Sequence, residues 1–75
     1  MPTLARLGNI QIRIFAEDHV PPHFHVVTSD GEVMVRIADL QVHEGSIDRK
    51  SLRTAIEWAA QNIALLEAEW SRLND

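Results

Sequence analysis

From residue 49 to residue 73 the chain runs without a glycine or a proline. Within that stretch Leu52, Ile56, Ala59, Ile63, Leu66, Trp70 and Leu73 recur at intervals of four and three. Apolar residues at that spacing form a stripe along one side of an α-helix, and the stripe must be buried against another apolar surface. The pattern predicts one long C-terminal helix over 49–73, N-capped by Asp48 or Ser46, whose side-chain oxygen accepts a bond from an otherwise unpaired N–H. At 1.5 Å per residue such a helix is about 37 Å long, whereas strands of six residues reach only about 20 Å. Its last turns should overhang any sheet beneath it, so Trp70 and Leu73 call for a further cover, either the N-terminal segment or a second subunit in a homodimer. Trp58 and Leu65 sit beside the stripe and widen it.

The surface beneath the helix is written in a different period. Leu4 and Leu7 lead to a Gly8-Asn9 turn signal, after which Ile10, Ile12 and Ile14 alternate with Gln11, Arg13 and Phe15. That is the two-residue repeat of a half-buried strand. A second strand is expected over about His23–Thr28 and a third over about 32–38, where Val33, Val35 and Ile37 share a face. Between them Asp30-Gly31 is a tight-turn pair that makes the two an antiparallel hairpin. Leu40 and Val42 alternate with Gln41 and His43 as a short fourth strand or an extension, which Glu44-Gly45-Ser46 breaks. The expected fold is α+β: a three- to four-stranded, mainly antiparallel sheet packed by one long C-terminal helix, in a single domain over residues 1–75.

Seventy-five residues lie near the lower limit for a chain that buries a core unaided. Cysteine is absent, which rules out disulfides and thiolate metal sites and suits a reducing compartment. No apolar run approaches the roughly 20 residues that span a bilayer. Met1-Pro2-Thr3-Leu4 lacks the charged start and apolar run of a signal peptide, so the cytoplasm is the expected location. The net charge of −4, from 7 basic and 11 acidic residues, argues against a nonspecific nucleic-acid binder driven by bulk charge. Arg49, Lys50 and Arg53 nevertheless cluster, which leaves room for a local anion site.

The chemistry concentrates in Asp18-His19-Val20-Pro21-Pro22-His23-Phe24-His25. Three of the four histidines and two of the three prolines fall within these eight residues. On a strand His23 and His25 point to one face and Phe24 to the other, and the prolines stiffen the approach. Three readings fit. The rings can brace the loop by bonding carbonyls near Pro21 and Pro22, which have no N–H to offer. His23 and His25 can bind one divalent transition metal, with His19 or Asp18 as a third ligand and Glu44 completing the shell. The histidines can also act as acids and bases, poised by Asp18 or Glu17. No partner nucleophile accompanies them, since Ser29, Ser46 and Ser51 lie in turns or near a cap. Arg49 and Lys50 oppose the dipole at a helix start, where an anion could be held; a solvated basic turn beside Asp48 and Glu44 is the plainer reading. His43 is expected to be an exposed strand residue, and Trp58 and Trp70 packing groups.

Taken with Glu44-Gly45-Ser46-Ile47, Arg49 and Glu57-Trp58-Ala59, this motif resembles the small bacterial domain of unknown function DUF4160 over nearly the whole chain. The resemblance implies a signature of Asp18, His19, Pro21, Pro22, His23, Phe24, His25, Glu44, Gly45, Arg49, Glu57 and Trp58. It also implies a small partner protein of the DUF2442 type, as in paired genes suggested to be toxin–antitoxin modules. The chain departs from the family pattern at Asp48, where a proline is common, and at Asn62, where a histidine is common, so the site is not placed on the helix. The function expected is a component of a two-gene, toxin–antitoxin-like module with the histidine loop as its working site. If the chain is the toxin, RNA is the first target to test, with Asp18, His19, His23 and His25 as the acid/base or phosphate-contacting set and Arg49 as an anion contact. The alternatives are a metal-binding domain using His23 and His25, and a non-catalytic protein-interaction module in which Pro21, Pro22, Phe24, Glu44 and Gly45 shape the loop.

Overall fold

The computed structural model of the chain describes residues 3–16 and 20–74. Five strands follow one another in space as they do in sequence, each antiparallel to the next. They are β1 (Ala5–Leu7), β2 (Ile10–Arg13), β3 (His23–Thr28), β4 (Gly31–Arg36) and β5 (Val42–Gly45). Two helices complete the chain, α1 (Arg49–Ala60) and α2 (Ile63–Asn74). The α+β class holds, but the sheet has five strands rather than three or four. The extra one is β1, whose three residues are too short to show a period; it pairs with β2 across Gly8 and Asn9. Glu44 and Gly45 belong to β5 instead of ending it, and the β3–β4 turn is Ser29-Asp30, with Gly31 already paired to Thr28.

Alternation decides what the sheet buries. Ile12 is paired with Val26 and Val26 with Val33, while Phe24 is paired with Val35. Together with Ile10, Ile14 and Ile37 these residues form the core face, where α1 adds Ala55 and Ala59 as it crosses β2 and β3. Two alanines on the buried face let the helix backbone come close to the strands. Asp48 caps α1: its Oδ2 accepts from the Ser51 N–H at 2.9 Å, and that bond holds the carboxyl below its ordinary value.

The long helix of the sequence pattern is two helices of 12 residues each. At the junction the backbone tightens, with Gln61 N–H donating to the Trp58 carbonyl and Asn62 N–H to that of Ala59. The Asn62 side chain donates from Nδ2 to the Trp58 carbonyl at 2.8 Å, and its own carbonyl accepts the first bond of α2, from Leu66 N–H at 3.0 Å. Asparagine competes for backbone groups in this way and therefore favours helix ends. The break re-aims the second half of the stripe. Leu66 is fully buried and Trp70 is 8% exposed, so most of the Trp70 surface finds its cover within the chain. Leu65, read as part of the apolar surface, is 45% exposed.

Candidate functional site

β3 is covered on both faces over its first four residues. Phe24 and Val26 enter the core, while His23 and His25 point to the other side, where they are 2% and 5% exposed. Two bonds orient these rings. His23 Nδ1 lies 2.8 Å from the Pro21 carbonyl, which can only accept, so Nδ1 carries the proton. His25 Nδ1 lies 2.7 Å from Oε2 of Glu32, where the carboxylate again makes Nδ1 the donor. An imidazole that donates from Nδ1 in its neutral form carries its lone pair on Nε2.

Aromatic packing surrounds them. The rings of His23 and His25 are 5.1 Å apart, Phe15 meets His25 edge-on at 4.4 Å, and Trp70 of α2 lies 5.4 Å from His23. His43, on exposed β5, stacks over His23 at 6.4 Å with an interplanar angle of 24°. The backbone of the corner is tied to the sheet as well: Ile37 N–H donates to the Pro22 carbonyl at 3.1 Å. The Val20–Pro21 peptide is cis.

The outer skin of the corner contrasts with this interior. Val20 is 75% exposed, and Pro21 and Pro22 are exposed beside it. Beneath Pro22 lies a groove of about 320 Å³ between the corner and α2, lined by Pro22, Ile37, Ala38, Glu67, Trp70 and Ser71.

The residues proposed for the site are thus partly gathered. Pro21, Pro22, His23, Phe24 and His25 form one unit. Asp18 and His19 lie outside the described residues, as does Glu17. Glu44 is exposed on β5, in register with Met34, which is itself opposite His25; two strand spacings, about 10 Å, separate it from that histidine. Gly45 (φ +87°) lies so close to β4 that a Cβ would strike the Glu32 carbonyl oxygen. The basic helix start is not near the imidazoles. The backbone at Ser46 sits against Gly31, opposite Thr28, and Thr28 is five residues, roughly 17 Å, along β3 from His23. Arg49 and Lys50 are exposed at that far end. Among the described residues no group of three or more His, Asp or Glu side chains is placed to hold one metal ion.

Four contributors were not legible as site residues: Phe15, Glu32, His43 and Trp70. Glu32 and Trp70 come from elements paired or packed only in three dimensions. For His43 a signal existed, since a histidine at the start of an edge strand two pairings from β3 could reach the first ring.

The chain is thus a small α+β domain: an antiparallel five-stranded meander packed by two C-terminal helices, with a proline-bounded pair of buried imidazoles on β3. The chain belongs to the family described as Domain of unknown function (DUF4160), whose sequence model matches residues 9–71. No curated protein and no solved structure matches the chain. No helix among the described residues is long and apolar enough to cross a membrane.

Proposed function

We propose that this chain is a non-catalytic, partner-binding component of a two-protein, toxin–antitoxin-like module, and that its working surface is the outer skin of the proline corner. The observation that carries this reading is the contrast in burial: Val20 stands 75% exposed with Pro21 and Pro22, whereas His23 and His25 are 2% and 5% exposed beneath them. An imidazole buried to that degree does not reach a phosphate on a polynucleotide unless the corner opens. A stiff apolar knob beside a groove is, by contrast, what a protein partner can recognise without an ordering cost. The partner this reading names is a small protein of the DUF2442 type.

The test is a calorimetric titration of that partner with the wild type and with Val20→Asp, whose melting temperature should match the wild type because the side chain is solvated. Loss of binding in a folded Val20→Asp variant supports the reading. Unchanged affinity refutes it.

A second reading, a transition-metal site, has its own support. Metal-bound imidazoles are ordinarily held through their other ring nitrogen by a carbonyl or a carboxylate, which is how Pro21 and Glu32 hold His23 and His25. This reading expects stoichiometric metal, by elemental analysis, in protein purified without chelators, and its loss in His25→Ala. Metal-free protein that binds neither Zn²⁺ nor Ni²⁺ excludes it.

A further inference from the structure

The geometry points to a cationic side chain of the partner, an arginine before a lysine, as the occupant of the groove beneath Pro22; this rests on the partner-binding reading above. The walls are Pro22, Ile37 and Ala38 on the sheet side and Trp70 on α2, with Glu67 and Ser71 at the helix rim. Three apolar side chains and an indole form a slot that suits a methylene stem, and a single carboxylate marks where its charged end would lie.

Glu67 is the acid left available for this role. Two residues along α2, Glu69 is held by Arg72, which donates from Nε at 2.9 Å and from Nη2 at 2.7 Å. That pairing lowers the Glu69 carboxyl below its ordinary value. Arg36, beyond Ile37, is likewise occupied by Asp39. Among the described residues Glu67 has no cationic partner. A net charge of −4 also favours a basic partner over an acidic one.

Arginine ranks above lysine for two reasons. Its flat guanidinium packs against the accessible edge of the Trp70 ring while keeping N–H donors for a carboxylate and a hydroxyl, here Glu67 and Ser71. Trp70 is also pre-set, because its ring is packed against His23 and buried to 92% of its surface, so little side-chain freedom is lost on binding. His23 then has an indirect part: by seating Trp70 it holds one wall of the groove.

The inference is tested without the partner. The full chain is titrated with N-acetyl-arginine methylamide and, separately, with its neutral isostere N-acetyl-citrulline methylamide, while the Trp58 and Trp70 indole N–H resonances are followed by NMR. The Trp70 signal should shift saturably with the arginine compound and the Trp58 signal should not. Citrulline should bind roughly two- to fivefold more weakly, the range an exposed ion pair supplies. Glu67→Gln should lower the arginine affinity by the same factor and leave citrulline unchanged, and added salt should weaken the arginine complex alone. Equal binding of the two compounds, a shift confined to Trp58, or no saturable shift overturns the inference. Because no partner protein is present, such a failure is separate from that of the Val20→Asp titration: retained loss of binding in that variant with no arginine effect removes the groove's occupant but not the corner's role.

Discussion

Replacing His25 with alanine separates a bracing imidazole from an acting one, and its cost can be worked from the structure. The ring is 5% exposed, meets Phe15 edge-on at 4.4 Å and His23 at 5.1 Å, and donates to Glu32 at 2.7 Å. Removing a buried aromatic side chain costs about 3–5 kcal/mol for phenylalanine, and the smaller imidazole stands at or below the lower end. The hydrogen bond to a carboxylate adds little, because the Glu32 side chain is 49% exposed and water takes over its oxygen. About 3 kcal/mol is the expected loss. For a domain this small each kilocalorie moves Tm by roughly 4–8 °C, which gives a fall of about 12–24 °C. A 75-residue domain has about 4–11 kcal/mol in total, so the variant should still fold when cold. Glu32→Gln keeps an acceptor for Nδ1 and should cost less than about 1 kcal/mol. Thermal melts followed by circular dichroism decide the matter. A His25→Ala protein within about 0.5 kcal/mol of wild type would show that the ring is not packed as described.

Three further outcomes follow from local geometry. Asp48→Ala should destabilise at neutral pH. The Asp48 carboxyl is held below 3.8 by the Ser51 N–H, so its contribution is complete above that pH and fades as pH falls further; denaturation curves of the two proteins should converge in acid. Gly45→Ala should cost about 1–3 kcal/mol, since its Cβ meets the backbone of Glu32, whereas Gly8→Ala (φ +64°), with open space around it, should cost only about 1 kcal/mol; denaturant midpoints check the order. Asn62→Ala removes the bond to the Trp58 carbonyl and should cost about 0.5–2 kcal/mol, with faster amide exchange at the start of α2.

How much of this could be read from the residues varies by element. The alternating isoleucines of β2 and valines of β4 announce their strands because each buries a single face. The stripe from Leu52 to Leu73 names helical residues correctly, yet it is silent on the break. A continuous three–four repeat survives a change of direction, and the one signal, Asn62, is an ordinary residue inside a helix until its side chain is seen bonding the Trp58 carbonyl. The core of the site was visible because His23, Phe24 and His25 are consecutive. Its walls were not: Glu32 is brought in by hairpin register, and Trp70 arrives only because α2 turns back. Arg49 and Lys50 lie at the far end of β3 because the chain leaves β5 at Ser46, whose backbone sits against Gly31, the residue opposite Thr28.

The most direct measurement compares partner affinity in two variants of this corner, each shown to be folded at the temperature used. His25→Ala should bind the DUF2442-type partner within about twofold of wild type, while Val20→Asp should lose binding. Loss of binding in folded His25→Ala, with Val20→Asp unaffected, would place the function in the imidazoles and contradict the reading of the corner as a braced docking surface.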